Sequence, residues 1–492
     1  MQDYVTYEAF GAVGDGKTDD QAAIVSAHAY ANEHKLPVKT KPDAVYYIGK
    51  GVVPAVIRTD TDWQTSRFVI DDVVTDDYRA PIFSVPASEG AVSVTVPPLH
   101  RGQEALEPAD CGLSADHDYY VTVYNDEKKQ YIRWGLNQDS GSSQTDSFIL
   151  TRDGKILSGI NWDYDKITRA SAQPIDETPL TLRGGSFTTI ANQAESKYTY
   201  YGRGISITRS NVTVENVYHT VTGEIDHGAP YGGFYSFSHC YNCVMKNCFV
   251  TGHKIYNTIG SAGKPVSMGS YDINTTAVIG VTFDGCRQDD ICNRTLWGVF
   301  GSNFCKQITF DHCVLSRSDA HCGVRDYVIR NSVMGWMGTN TIGFGKMLLE
   351  NVTCYCGHLI GFRDDYGCTW DGDLTLRNVT WIPQPGTCLS PVMFWAHNRG
   401  QHDFGYPCTL PHHITIENVF VVDSNVPDGY DGIRLFSNFH PELTEQNDDP
   451  EPFPLSRPES VTVKNFRCLS GKQPVLCDNM TLFRDTKYTV LD

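Results

Sequence analysis

One phrase recurs along this chain, and it restricts the fold more than any other feature does. It is a short run of alternating apolar and polar residues that ends in Asn, Gly or His, in its clearest form Val212-Thr213-Val214-Glu215-Asn216-Val217. Copies begin at Val281, Ile308, Tyr327, Met347, Leu374, Ile414 and Val461, with weaker ones at Leu180 and Cys243. The fifth residue of each copy falls at 184, 216, 247, 285, 312, 331, 351, 378, 418 and 465, so the spacings are 32, 31, 38, 27, 19, 20, 27, 40 and 47 residues. The shortest spacings define one turn of a solenoid. A unit of about twenty residues, with an alternating strand and a turn residue, suits a parallel β-helix, in which a coil buries its apolar face only by stacking on its neighbours. The longer spacings are the same coil with loops inserted.

A solenoid grows by adding coils, so 492 residues need not divide into separate globular domains. Gly, Thr, Asn, Val, Tyr and Phe are plentiful beyond the first forty residues and helix formers sparse, as short strands and tight turns require. The class is mainly β. Near the N-terminus, Thr18 and Gln21 have the spacing of a capping box ahead of the Ala-rich stretch Gln21 to His34, which predicts a helix there. Runs at 52–58, 66–70 and 91–96 read as early irregular coils. From about 108 the pattern changes to adjacent alternating strands, Tyr119 to Tyr124, Gln130 to Trp134 and Ser147 to Leu150, with turns at Asn125-Asp126 and Asp153-Gly154. That pattern predicts an antiparallel insertion, expected first as a homo-oligomer contact and second as a wall of a cleft. The resulting division is 1–50 cap and first coil, 51–107 early coils, 108–175 insertion, and 176–492 the main body. The body ends in long polar loops such as Asn447 to Pro452 over a closing cap.

The segment Phe10-Gly11-Ala12-Val13-Gly14-Asp15-Gly16-Lys17-Thr18-Asp19-Asp20, with the helix after it, resembles the N-terminal element of the pectate-lyase-like superfamily. Members include polygalacturonase-like glycosidases, polysaccharide lyases and phage tailspikes. The resemblance covers about the first forty residues. It implies a right-handed, single-stranded parallel β-helix whose open end is capped by that helix, and a carbohydrate substrate. It carries no reaction with it, since the Asn-Thr-Asp, Gly-His-Gly and Arg-Ile-Lys motifs of polygalacturonases are not found here, nor are pectate-lyase calcium and arginine motifs.

A net charge of -18 with no basic run argues against nucleic acid. It also weakens the case for a uniformly polyanionic substrate unless a local arginine pocket overrides it. No apolar run reaches membrane-spanning length, and with no secretory leader at the start of the sequence the compartment stays open between cytoplasm and export with a leader removed. Of sixteen cysteines, Cys248, Cys286 and Cys313 share the sixth position of the phrase, which suggests a row of small core residues about 4.8 Å apart. So many unpaired thiols favour a reducing compartment.

Equivalent positions on stacked coils lie one strand spacing apart, so a site can be assembled from residues distant in sequence. Two passages gather charge: Ser316 to Asp326 and His358 to Tyr366. Setting successive coils twenty residues apart aligns Asp319 with Thr339 and Leu359, and His321 with Thr341 and Gly361. Asp319 and Asp364 or Asp365 would then flank a floor of Thr339, Asn340 and Thr341. Two coils span about 9.6 Å, within the carboxyl separation of an inverting glycosidase. Asp319, Asp364, Asp365 and His321 are therefore the catalytic candidates. Arg325, Arg363, Tyr366, Trp395, His397 and Arg399 are the candidates for substrate contact. For any one Asp the simpler expectation is a turn residue capping backbone amides; for the group together it is function. The leading expectation is a glycoside hydrolase with Asp acid and base and no cofactor. Its rival is a polysaccharide lyase using His321 or Tyr366 as base and Arg325 or Arg363 against a uronate, with calcium on Asp364 and Asp365. The third is a tailspike-like adhesin that binds glycan without cutting it.

Overall fold

The computed structural model describes residues 3–135, 140–383, 391–424, 429–447 and 450–491. Most strands join one long parallel sheet, and the repeated phrase is its backbone. Leu182, Val214, Met245, Phe283, Phe310, Ile329, Leu349, Leu376, Ile416 and Val463 pair in register from coil to coil, and all are fully buried. The fifth position of every copy, from Gly184 to Asn465, has a positive φ between 49° and 72°. Asn and Gly tolerate that left-handed conformation best, and it turns the chain off each strand. From Asn331 onward the turn residues also bond one another: the amides of Asn351, Asn378, Asn418 and Asn465 each donate to the Asn carbonyl of the coil before, at 2.8–3.0 Å. Below them lie the cysteines. The thiols of Cys248, Cys286 and Cys313 each meet a backbone carbonyl of the preceding coil at 3.3–3.5 Å, and all three are free and buried.

Helix α1 (Gln21–His34) buries Ile24, Ala27, His28 and Ala31 in the main core. The expected capping box is not formed. Residues Asp15–Asp19 form a short strand, where Thr18 hydrogen bonds Asp15, and the N-cap is Asp20, whose carboxylate accepts the backbone N–H groups of Val13 and Gly14. Asp20 thus serves the preceding glycine loop, while Asp19 accepts the N–H of Gln21 at the helix start at 3.1 Å.

The antiparallel insertion is a five-stranded sheet with its own core around Val121, Val123, Phe148, Leu150 and Tyr164. It begins earlier than its composition suggests, because Val92–Val94 pairs with Arg169–Pro174 and not with a coil. Asn125-Asp126 is not a turn: Tyr119–Gln130 is one strand, and the extra residues form a bulge opposite Ser143 and Gln144. A buried ion pair fastens this sheet to the solenoid, Lys306 Nζ to Asp146 Oδ1 at 2.7 Å. Beyond Gln130 the chain leaves the sheet and runs back onto the solenoid, with Tyr131 packed edge-on against Tyr366 and Tyr406. That return delivers Arg133 and Trp134 to the site described next. The insertion therefore supplies a wall of the cleft, the second of its two expected roles.

Candidate functional site

The strand Val314–Arg330 carries the first half of the site. Residues two apart on a strand share a face, so Arg317, Asp319 and His321 point one way while Ser318, Ala320 and Cys322 are buried on the other. The second half comes from Arg363, Asp365 and Tyr366, just past the strand Ile360–Phe362. Between the halves the pairing lies one residue beyond the uniform twenty-residue alignment, because a bulge adds two residues to a 19-residue spacing. Arg317 pairs with Gly338 and Asp319 with Asn340, because the coil between Met334 and Gly338 bulges. A one-residue slip exchanges the faces of a strand. Thr339 and Thr341 accordingly turn inward and are buried, and do not form the expected floor.

In place of that floor stands an alternating row of charges. Asp319 has no exposed surface; its carboxylate receives Arg317 Nη2 at 2.6 Å and Arg363 Nη1 at 3.1 Å. Arg363 continues to Asp365 through two bonds of 2.8 and 2.6 Å, and Asp365 also takes Arg133 Nε at 2.9 Å. Burial alone would raise both carboxyls. For Asp319 the charges of Arg317 and Arg363 outweigh it, and for Asp365 those of Arg363 and Arg133 do, so both are held below the usual carboxylate range. Neither is a protonated acid at neutral pH, which an inverting pair would need from one of them. Asp364 differs. Burial and the neighbouring Asp365 charge raise it, and it faces a separate pocket.

His321 is the proton-exchanging group closest to this row. Its Nδ1 lies 2.9 Å from Asn303 Oδ1, a contact that assigns the proton to Nδ1 and leaves the Nε2 lone pair 3.3 Å from the Tyr366 hydroxyl. Burial, assisted by the Arg363 charge, holds its pKa down to about 4, so the ring is neutral at pH 7. Burial raises the hydroxyls of Tyr366 and Tyr271, which therefore keep their protons.

These groups line an open cleft of about 870 Å³. Tyr198, Tyr200, Tyr271, Trp297 and Trp134 supply aromatic surface. Trp297 carries the Arg317 guanidinium 5.0 Å from its ring centre. Gly301 lies under the ring of Tyr271, where a Cβ would fall 2.7 Å from the ring edge. The cleft holds three guanidiniums against two carboxylates, a local excess of positive charge on a chain of net charge -18.

Five of the expected residues thus converge: Asp319, His321, Arg363, Asp365 and Tyr366. Asp364, His397 and Arg399 share the neighbouring pocket. Arg325 lies elsewhere, bonded to Asn161 of the insertion, and Trp395 stacks on His358 at 4.8 Å. Asp326 and Asp371 have structural roles, the first accepting the Lys346 N–H and the second pairing with Arg101 and His412. Sequence reasoning missed Arg317, although the period-2 alternation with Asp319 and His321 signals it. It also missed Arg133, Tyr271 and Asn303, which no local pattern reveals. Calcium on Asp364 and Asp365 does not fit: the two carboxylates face different pockets, and those of Asp365 are taken by Arg133 and Arg363. Among the described residues no group of three or more His, Cys, Asp or Glu side chains could hold a metal ion.

The stacked coils, with a cleft on their side, together define a parallel β-helix. The solved structures it resembles include two Pseudomonas phage tailspikes. The phi297 tailspike gp61 aligns with 99% of this chain and 84% of its own at TM-score 0.58 and 13% identity, and the LKA1 tailspike gp49 with 98% and 84% at TM-score 0.59 and 14% identity. At such identities the likeness is one of fold. No family model matches the sequence. Among curated proteins, a capsule KL64-specific depolymerase of Klebsiella phage P510 is 33% identical over 96 residues, which span 17% of this chain and 9% of that protein.

Proposed function

We propose that this protein binds and depolymerises an acidic polysaccharide, cutting it by β-elimination beside a uronate-type carboxylate. The observation that carries this reading is the cleft's excess of guanidinium, set beside a neutral imidazole and without a protonated carboxylic acid. Arg317 is the main anion receptor. Its side chain is 7% exposed, and its Nε and Nη1 have no hydrogen-bond partner. A guanidinium stabilises a carboxylate by charge and by a charge-assisted hydrogen bond. Neutralising the sugar carboxylate acidifies the adjacent C–H. His321 Nε2 takes that proton, the electron pair forms the new C=C bond, and the glycosidic C–O bond on the next carbon breaks. The departing oxygen receives the Tyr271 hydroxyl proton. The partial likeness to a protein named as a capsule depolymerase supports a polysaccharide as substrate.

Hydrolysis is the second reading, and Asp364 favours it as the one candidate carboxyl with a raised pKa. A panel of neutral and uronate-containing capsular polysaccharides, assayed for reducing ends and for the ultraviolet absorbance of unsaturated uronate, separates the two. The expected result is unsaturation from the acidic glycans alone, reduced about 10²- to 10⁴-fold by His321→Ala at unchanged melting temperature. Reducing ends without unsaturation contradict elimination, and binding without cleavage contradicts both.

A further inference from the structure

Beside the charged row, on the other side of Trp134, lies a second pocket of about 450 Å³. Trp134 lines both pockets. It is 48% exposed, a large apolar surface to leave in water, yet it is held firmly from behind. Its backbone N–H bonds the Asp365 carbonyl at 2.8 Å, and its ring meets His402 edge-on at 4.9 Å. His402 is anchored to the Ile132 carbonyl at 3.1 Å and packs edge-on against Phe404 at 4.6 Å, while Ile132 N–H bonds the Phe404 carbonyl. The aromatic face is therefore built into the wall between the pockets.

The second pocket is furnished differently from the first. Asp364 and His397 stand in it, the Asp364 carboxylate meeting the Asp365 backbone N–H, and among the described residues no other side chain bonds either of theirs. The Asn398 amide contacts the Gly367 carbonyl at 3.5 Å and its oxygen holds the Gly400 N–H, which fixes the loop that carries His397. Arg399 is more than half exposed and lies 3.4 Å from Glu442. A carboxylate and an imidazole with free hydrogen-bonding capacity beside an exposed indole suit vicinal hydroxyls and the apolar face of an uncharged sugar ring. They are a poor receptor for a second uronate, because Asp364 would face its carboxylate.

We infer that Trp134 is a platform joining two subsites, so that the protein engages its glycan internally, with the acidic sugar on the arginine row and a neutral neighbour held by Asp364 and His397. This rests on the proposed polysaccharide substrate. It adds that the repeating unit pairs an acidic with an uncharged sugar, and that cutting is endo in mode.

The test uses a size-graded ladder of oligosaccharides prepared by partial acid hydrolysis of whichever capsular polysaccharide the protein binds. Binding is measured with His321→Ala protein, so that it does not depend on turnover. Affinity is expected to rise steeply once the oligosaccharide spans both pockets. Trp134→Ala and His397→Ala, each added to this background, should lose at least about tenfold in affinity for long oligosaccharides and little for the shortest, with unchanged melting temperatures. Indole fluorescence should be perturbed by long oligosaccharides only, and Asp364→Asn, which keeps the shape, should lose less than His397→Ala. Equal losses at every length, or affinity independent of length, overturn the second subsite. Length-dependent binding without any cleavage by the wild type instead overturns the proposed reaction and leaves the subsite standing.

Discussion

Two edges of the same coils behave in opposite ways. At the turn edge every coil from Asn331 onward presents Asn in the same left-handed conformation, and Asn351, Asn378, Asn418 and Asn465 bond their own counterparts one coil away. At the cleft edge no coil resembles the next. Arg317, Asp319, Arg363, Asp365 and Arg133 come from two coils and an inserted sheet, and each bonds an unlike partner. The turn edge has one small solution that can be repeated indefinitely. The cleft edge has a single arrangement, held together by buried charges that would be costly if left unpaired. Repetition in this molecule marks what holds the coils in register, and departure from it marks where chemistry is concentrated.

The sharpest way to break this contrast is at Arg363, which bridges both carboxylates. Arg363→Ala leaves Asp319 and Asp365 each one guanidinium short in a buried setting, at a cost of about 3–5 kcal/mol. It should abolish turnover and lower the denaturant midpoint together. If Arg363→Ala left both unchanged, the charge row would be decoration. A smaller effect is expected from acid. His321 acts as a base only while unprotonated, and in the free protein that proton is gained near a pH of about 4. The acidic limb of kcat/KM should therefore fall near pH 4 and not near the ordinary histidine value of about 6.5. A limb near 6.5 would remove His321 from that role. The smallest effect belongs to the turn edge. Asn378→Ala loses two amide bonds and puts Ala, which tolerates the left-handed region less well than Asn, at φ 54°, for about 2 kcal/mol in all. Asn378→Gly should recover part of that stability, and neither variant should change turnover.

The contrast also explains what could be read from the sequence. The phrase repeats in identity and spacing, so coil stacking, the buried cysteine row and the turn positions were all legible. Asp319, His321 and Arg363 were legible as a charged interruption of that repeat. Their register was not, because the bulge before Gly338 leaves no sequence signature and adds two residues to the 19-residue spacing. Nor could Arg133 be found, since its place depends on how Lys306 and Asp146 dock the inserted sheet, a contact between residues 160 positions apart. The expectation of an acid–base pair of carboxylates arose from counting charges without their partners. With the guanidiniums in place Asp319 and Asp365 are paired carboxylates, Asp364 alone of the three is raised, and the proposed elimination gives the proton to His321.

The most direct test of that reading is the mass of the products released from a uronate-containing capsular polysaccharide in ¹⁸O-labelled water. Elimination predicts a new non-reducing end one water lighter than hydrolysis would give, and a new reducing end with no ¹⁸O acquired by cleavage once carbonyl exchange there is blocked by prompt reduction. Products of full hydrolytic mass carrying ¹⁸O would contradict it and return the chemistry to Asp364.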